Sequence, residues 1–244
     1  MTIKYNIKSL LPVFLKDSIR PLLNCFLKKN TEELNFWRSR LEIDKGIFEN
    51  SHYKKYMLAM AEESNIDFVK DKVVADFGCG PRGSLTWAKS ATFRIGIDVL
   101  ADRYIDEFSS NILSHNMIYL KSTENVIPLP SGIVDILFTL NAIDHVDNFP
   151  IMCSEILRVI KPGGLFIGSF NLEERATSCE PQRLNEKIIN DNLLTKLEVL
   201  SYRVTTKGHK DDQYAPFFAG NLSYKEGQEG FLWVKAKKSL DERF

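Results

Sequence analysis

Residues 73–83, Val-Val-Ala-Asp-Phe-Gly-Cys-Gly-Pro-Arg-Gly, place one acid and three glycines at close spacing. A short apolar run ends at Asp76, and Gly78, Gly80 and Gly83 follow it. We expect residues 84–88 to begin a helix. A buried strand, a glycine turn and a helix N-terminus would bring bare backbone N–H groups and the positive end of a helix dipole together. Such an arrangement suits a polar or anionic ligand.

Two classes of ligand fit this glycine turn. The spacing Gly78-x-Gly80-x-x-Gly83 matches the dinucleotide-binding fingerprint, and Asp98 lies about where an acid that binds a ribose is expected. However, a carboxylate at Asp76 would lie close to a pyrophosphate and repel it. The same carboxylate suits a ligand with an ammonium group, such as the methionine end of S-adenosylmethionine. We therefore favour S-adenosylmethionine over NAD.

Five segments resemble, in the same order, motifs of the class I S-adenosylmethionine-dependent methyltransferases. The family's acidic glycine turn is matched from Asp76 to Gly83 with one additional residue, and its acid after the second strand is matched by Asp98. Residues 122–130 resemble the loop after the third strand, with Ser122 replacing the usual acid. The remaining two segments are an apolar fourth strand and the Lys-Pro-Gly-Gly turn that leads into the fifth. Together they indicate the methyltransferase type 11-like subgroup, which acts on small molecules and glycans.

The resemblance implies S-adenosylmethionine as the cofactor and S-adenosylhomocysteine as the product. In chemical terms, Asp76 would hold the amino group, Asp98 would accept both ribose hydroxyls, and Thr123 or Glu124 would reach the adenine. Cys79 is interpreted as a small residue that fills the turn, not as a nucleophile. The full set of predicted cofactor-binding residues is Asp76, Gly78, Cys79, Gly80, Asp98, Ser122, Thr123, Glu124 and Asn141.

The candidate catalytic residues follow the predicted fourth strand. Transfer of a sulfonium methyl mainly requires an acceptor held in line, and a hydroxyl acceptor must also lose its proton. Asn141 would face the sulfonium, and Asp144 and His145 lie just beyond it; a histidine can act as a base near neutral pH. Alternatively, His145 is a structural residue beneath the adenosine. The sequence shows no metal-ligand spacing, so no metal is expected.

Composition bears on the acceptor. Lys plus Arg and Asp plus Glu both number 32, so no overall positive charge recruits nucleic acid. The four cysteines show no C-x-x-C spacing, which argues against zinc and a disulfide framework. We predict O-methylation of a small polar acceptor in cell-surface carbohydrate or secondary-metabolite biosynthesis. The alternatives are N-methylation of a small molecule and a module that binds the cofactor without catalysis.

Alternating strands and helices predict an α/β fold with a doubly wound, mostly parallel seven-stranded sheet and an antiparallel terminal hairpin. The predicted strands are 73–77, 93–98, 117–121, 134–140, 164–171, 197–206 and 230–235. Apolar residues at helical spacing predict a helical cap between residues 32 and 69, where the side chains of Trp37, His52, Tyr53 and Tyr56 could line the site. We divide the chain into residues 1–69, the arm and cap, and residues 70–244, the methyltransferase domain.

Residues 7–29 alternate leucines with lysines and arginine, and two prolines interrupt the segment. These interruptions argue against a membrane-spanning helix. An interfacial cationic helix would fit a cytoplasmic protein that contacts the inner membrane face. The alternatives are an arm that packs on the domain or on a second subunit in a homodimer.

Overall fold

The computed structural model describes residues 29–177, 180–209 and 212–240. Its strands are β1 Val73–Phe77, β2 Phe93–Asp98, β3 Ile118–Lys121, β4 Val134–Leu140, β5 Ile160–Leu172, β6 Leu197–Thr206 and β7 Gly230–Lys238. Its α-helices are α1 over residues 29–43, α2 Ser51–Ala61, α3 Ala101–Glu107, α4 Ser109–Ser114, α5 Phe149–Val159, α6 Glu186–Asn192 and α7 Ala215–Phe218. Single 3-10 turns are formed by Ile66–Val69, Ile143–His145 and Leu194–Lys196.

The strands form one sheet in the order β3-β2-β1-β4-β5-β7-β6. Strands β1 to β5 run parallel, whereas β7 is antiparallel to both β5 and β6. The predicted doubly wound sheet with an antiparallel end is therefore confirmed. The chain proceeds outward in one direction from β1 and then returns to the other side at β4. The carboxyl ends of β1 and β4 are consequently the place where such a sheet binds its ligand.

Both faces of the sheet are covered by apolar side chains. Phe149 and Ile156 of α5 and Ile189 of α6 belong to the core on one face. Met57 and Met60 of α2 belong to the core on the other. Each of these five side chains is at most 1 % exposed. Full burial of a side chain of this size stabilises the fold by roughly 1.5–3 kcal/mol. The cap therefore packs directly on the sheet.

The helix predicted after the glycine turn does not form. Residues 84–87 make turns, in which Thr86 N–H donates to the Gly83 carbonyl and Ala88 N–H donates to the Leu85 carbonyl, both at 3.0 Å. Helix α2 supplies the cover on this face, because Leu85 packs in the same cluster as Met57 and Met60. The prediction of a helix dipole at the turn was therefore wrong, and only the backbone N–H groups of the turn are available to a ligand.

One strand boundary differs from the prediction, and one helix boundary bears on the site. Strand β5 begins at Ile160, so the Lys-Pro-Gly-Gly segment lies within the first part of the strand. The pairing of this part with β4 is irregular, with a register shift between Val134 and Ile136 of β4. Helix α6 begins only at Glu186, because the Asn185 side chain accepts a hydrogen bond from the Ile188 N–H at 2.8 Å and caps it. Of the residues before this cap, Glu180 lines the cavity described below.

The amphipathic stretch 7–29 lies outside the described residues except for its last member. Lys29 is 8 % exposed, and its Nζ is 3.0 Å from Asp147 Oδ1, so this lysine binds to the domain. Within the described ranges, no helix combines the length and the apolar character that crossing a membrane requires. The division at residue 69 and the association of two copies stay predictions.

Candidate active site

A cavity of 640 Å³ opens at the carboxyl ends of β1, β2 and β4. Cavities of this size enclose small-molecule ligands. Helices α1 and α2 form part of its wall, through side chains that include Phe36, Trp37, His52, Tyr53 and Tyr56. The cap residues that the sequence suggested as lining residues, from Trp37 to Tyr56, are all at this cavity.

The glycine turn has a conformation and a packing that exclude side chains. Gly78 and Gly80 have φ of +73° and +55°, in the left-handed region. A Cβ on Gly78 would stand 2.1 Å from the Ala142 Cβ, and one on Gly80 would stand 2.6 Å from the Trp37 ring. Gly78 lines the cavity, whereas the Gly80 N–H donates a hydrogen bond to the Asp98 Oδ2 beside it. The turn is therefore a tight backbone surface under the cavity.

Asp76 is the buried acid at the end of β1, with 2 % of its surface exposed. Its Oδ2 accepts a hydrogen bond from the Ser84 hydroxyl, and its Oδ1 has no partner among the described residues. Burial raises the pKa of Asp76 to about 7; the Ser84 hydrogen bond opposes this, and the Asp98 charge adds to it. An acid that lines a cavity with one unpartnered oxygen fits an ammonium group of a ligand.

Asp98, at the end of β2, is held by two backbone donors. Its Oδ1 accepts from the Leu100 N–H at 2.9 Å and its Oδ2 accepts from the Gly80 N–H at 3.1 Å. Burial raises the pKa of Asp98 to about 6, and these two hydrogen bonds lower it. Asp98 also lines the cavity, with a lone pair on each oxygen left for hydroxyl donors.

Of the three residues predicted to bind the cofactor in the loop after β3, two line the cavity and one does not. Ser122 is 2 % exposed, and its hydroxyl has no partner among the described residues. Ser122 and Glu124 line the cavity, and the Glu124 Oε2 accepts from the Asp147 N–H at 3.2 Å. Thr123 is not among the lining residues, because its Oγ1 accepts from the Asn125 and Val126 N–H groups at 3.3 and 3.0 Å. Thr123 thus closes the turn and does not face the cavity.

Cys79 lines the cavity from the glycine turn and packs tightly against the neighbouring strand. A Cβ on Gly96 would stand 2.7 Å from its Sγ. Burial raises the pKa of the Cys79 thiol well above its usual range. Because a thiol in that state is a poor nucleophile, the side chain acts as a packing residue in the turn.

Asn141 follows β4 with a φ of +46°. Its Nδ2 donates to the Tyr214 hydroxyl at 2.7 Å, and its Oδ1 accepts from the Ser169 hydroxyl at 2.7 Å. Asparagine tolerates the left-handed conformation better than most residues. The side chain that was predicted to face the sulfonium is thus engaged on both sides, and it positions the Tyr214 hydroxyl at the cavity wall.

The other two candidate catalytic residues lie together in the turn after β4. Asp144 is 2 % exposed, and its Oδ2 accepts from the Asn171 amide at 2.7 Å. His145 lines the cavity, and its Nε2 is 3.5 Å from the Glu180 Oε1. Burial raises the pKa of Glu180, which also lines the cavity. Potential ligand atoms of Asp144, His145 and Glu180 all lie within 4.8 Å of one another.

Sequence reasoning missed Glu180, Asn171 and Lys29, because no local pattern marks them. The Lys29 ammonium donates to the His145 carbonyl and forms ion pairs with Asp147 and, at 3.7 Å, with Glu124. Among the described residues that line the cavity, one is a lysine and six carry carboxyl groups: Glu32, Glu33, Asp76, Asp98, Glu124 and Glu180. This acidic lining favours cationic ligands.

The comparisons with known proteins agree with this geometry. Residues 75–168 match the model of the methyltransferase domain family, from β1 into β5. Among the curated proteins, none matches this sequence.

Solved structures with the same fold are numerous, and 833 chains match. An S-adenosylmethionine-dependent methyltransferase from Aquifex aeolicus is 19% identical, with 78% of this chain and 99% of that chain covered and a TM-score of 0.50. A second from Mesorhizobium loti is 14% identical, with 72% and 99% covered and a TM-score of 0.50. The [4+2]-cyclase SpnF is 18% identical, with 72% and 80% covered and a TM-score of 0.53.

At these identities the solved structures establish the fold, while the domain match indicates S-adenosylmethionine as the cofactor. Residues 75–168 form a methyltransferase domain of the S-adenosylmethionine-dependent class.

Proposed function

We propose that this enzyme transfers a methyl group to a hydroxyl of a small polar acceptor, such as a sugar of a cell-surface carbohydrate or a secondary metabolite. The observation that carries the proposal is the polar cluster of Asn171, His145 and Glu180, which lines the same cavity as Asp76 and Asp98. Because α1 and α2 wall this cavity, the acceptor must be small enough to enter beside them.

The cofactor would be held by the residues at the ends of β1 and β2 and in the loop after β3. Asp76 has a free oxygen for the amino group, and the Gly78 backbone can approach the methionine portion without a side-chain clash. Asp98 would accept the ribose hydroxyls. Ser122 and Glu124 would border the adenine, and Cys79 would pack beside it.

S-adenosylmethionine, when bound, supplies an electrophilic methyl group. The chain must then hold the acceptor in line and take up or release its proton. His145 and Glu180 are the titratable pair that faces the cavity at the turn after β4, and Asp144 lies behind them. Asn141 acts through Tyr214, whose hydroxyl it holds at 2.7 Å.

N-methylation of a small amine is the second candidate, and the acidic lining favours it. Six carboxyl groups and the rings of Tyr56 and Tyr214 would attract a cationic amine. The same lining disfavours an anionic acceptor, since the nearby cations are already paired: Arg183 with Glu173 at 2.8 Å, and Lys207 with Glu174.

The first experiment is calorimetric titration with S-adenosylhomocysteine, with NADH as a control ligand. We expect micromolar binding of S-adenosylhomocysteine alone, weakened about tenfold or more in Asp98→Asn because a charge-assisted pair is lost. Asp106→Asn, which removes an exposed acid of α3, is the matched control and should bind normally. A folded wild-type protein that binds NADH in place of S-adenosylhomocysteine would refute the proposal.

Acceptor class is tested next with a labelled methyl donor. Parallel panels of sugars, hydroxylated metabolites and amines separate O-methylation from N-methylation by the bond formed. Retained S-adenosylhomocysteine binding without transfer to either panel would favour a module that binds the cofactor without catalysis.

We also propose a cytoplasmic location with peripheral contact at the inner membrane face, supported by the leucine- and lysine-rich sequence of residues 7–29. Flotation of the full chain and of a chain that begins at residue 29 with anionic vesicles tests it. Equal flotation of both would contradict a lipid-binding arm, and a concentration-dependent mass in solution would indicate a homodimer.

A further inference from the structure

We infer that Asp144, His145 and Glu180 form a binding site for one divalent cation at the edge of the cavity, which would hold the oxygen of the methyl acceptor. The role given to the cation depends on the proposed function, whereas the binding site itself does not. No metal was expected from the sequence, because Glu180 is too distant along the chain from Asp144 and His145 to form a recognisable ligand pattern.

The three side chains already have the spacing of ligands to one ion. The His145 Nε2 and the Glu180 Oε1 are 3.5 Å apart, and ligand atoms of all three residues lie within 4.8 Å of one another. Two ligands at about 2.1 Å from one ion are about 3 Å apart when adjacent and about 4.2 Å apart when opposite. Small side-chain movements would therefore complete the coordination.

A second, independent observation points to a ligand at this place. Only 2 % of the surface of Asp144 is exposed, yet its Oδ1 has no hydrogen-bond partner among the described residues. Its other oxygen is fixed by the Asn171 amide at 2.7 Å. A buried carboxylate oxygen without a donor is costly, and a cation beside it would remove that cost.

Among the described residues no lysine forms an ion pair with Asp144, and the Lys207 charge acts on it only from a distance. Lys207 forms ion pairs with Glu174 and, at 3.8 Å, with Glu229. The Lys29 ammonium is directed to Asp147, Glu124 and the carbonyl of His145. The charge on the Asp144–Glu180 pair is therefore available to a bound ion.

Hydrogen bonds of Gln182 hold the third ligand, Glu180, in place. Gln182 follows Glu180 by two residues, and its Nε2 donates to the carbonyls of Val146 at 3.0 Å and Asp147 at 3.2 Å. The Gln182 N–H also donates to the Asp144 carbonyl at 3.4 Å. These hydrogen bonds fasten the segment after β5 to the turn after β4, so Glu180 stays opposite His145.

Two carboxylates and one imidazole suit an ion that accepts both oxygen and nitrogen ligands, such as Mn²⁺, better than a thiolate-seeking metal. His145 and Glu180 line the cavity, so remaining coordination positions would face an acceptor. A hydroxyl bound to such an ion has a lowered pKa and passes its proton to solvent water. The oxygen lone pair then forms the bond to the methyl carbon while the methyl–sulfur bond breaks, which leaves a neutral thioether. In this arrangement His145 is a ligand and not the base.

Mn²⁺ titration of the full chain, followed by the electron paramagnetic resonance signal of free Mn²⁺, tests the site with S-adenosylhomocysteine absent and present. We expect one Mn²⁺ per chain, and binding weakened about tenfold or more in Glu180→Gln. Asp191→Asn, which removes a half-exposed carboxylate of α6 paired with Lys187, is the matched control and should bind like the wild type.

Glu180→Gln is the primary variant because Glu180 is partly exposed, and its melting temperature is compared with that of the wild type. A folded wild type without stoichiometric Mn²⁺ binding, or equal binding by Glu180→Gln, would overturn the cation site. Because S-adenosylhomocysteine binding is measured on the same samples, its retention would leave the proposed function standing even if the cation site fails. Its loss in the wild type would instead refute the function.

Discussion

The indole of Trp37 lies directly over the glycine turn: a Cβ on Gly80 would stand 2.6 Å from the Trp37 Cζ2. The Trp37 Nε1 donates to Glu33 one helical turn earlier, at 2.8 Å, which holds the ring in this position. The cap and the cofactor turn are thus in van der Waals contact, 43 residues apart by their numbers. A change at either residue should be felt at the other.

Gly80→Ala should destabilise the protein by about 1–3 kcal/mol, because a side chain is strained at a φ of +55° and collides with the Trp37 ring. Gly220→Ala is the matched control, since Gly220 has a φ of +68° but nothing within 4 Å of the added Cβ. Urea unfolding of both variants separates the collision from the backbone strain. Equal losses in the two variants would contradict a close Trp37 contact.

Asp76 should make the ligand-free protein less stable as pH rises. Its pKa is about 7 in the folded protein, raised by burial from an ordinary value of 3.8. An acid whose folded pKa is raised contributes stability that is complete below pH 3.8 and is lost as pH rises through about 7. The loss is at most about 4 kcal/mol, since a tenfold change in proton affinity is about 1.4 kcal/mol.

Chemical denaturation of the wild type and of Asp76→Asn between pH 5 and 8, a window of about three pH units around that pKa, measures this loss. The variant should show a flatter pH dependence, while Asp106→Asn should follow the wild type. A wild type that gains stability over the window relative to Asp76→Asn would contradict the raised pKa.

The ionised form of Asp76 should be the form that binds the ammonium of the ligand. Affinity for S-adenosylhomocysteine should therefore increase by about tenfold from pH 6 to pH 8, as a group with a pKa near 7 ionises. Methylthioadenosine, which lacks the amino acid portion, is the control ligand and should show no such increase. The same pH dependence for both ligands would show that Asp76 does not contact the amino group.

Tyr214→Phe should cost about 0.5–1.5 kcal/mol of stability, because it leaves the part-buried Asn141 amide without its acceptor at 2.7 Å. Tyr202→Phe is the control, since the Tyr202 hydroxyl bonds Glu186 at an exposed site and its loss should cost less. Thermal unfolding ranks the two variants. The reverse order would contradict the role of Tyr214 as the partner that holds Asn141.

Lys29→Met should loosen the cap and weaken S-adenosylhomocysteine binding severalfold. The substitution removes the ion pair with Asp147 at 3.0 Å and the contact with Glu124 at 3.7 Å. Hydrogen bonds to charged groups contribute about 1.5–3 kcal/mol each, so α1 should exchange its amide protons faster. Lys187→Met, which breaks an exposed pair on α6, is the control. Unchanged exchange over residues 29–43 would show that Lys29 does not anchor the helix.

The sequence alone determined the sheet and the residues that its strands deliver. Apolar runs bounded by glycine, proline and polar residues specified all seven strands to within a few residues. Asp76 and Asp98 were predicted as site residues because a strand end places its next side chain at the sheet edge. Asn141, Asp144 and His145 were predicted for the same reason. In each case the signal is local, since it depends on neighbours a few residues away.

Tertiary structure decided what those residues face. The segment after the glycine turn forms turns that pack against α2, and the Thr123 hydroxyl accepts from two backbone N–H groups of its own turn. Glu180 lies 3.5 Å from His145, on a segment that Gln182 fastens to the turn after β4. Such contacts join residues that are distant along the chain, and they depend on packing and hydrogen bonding that no local pattern contains.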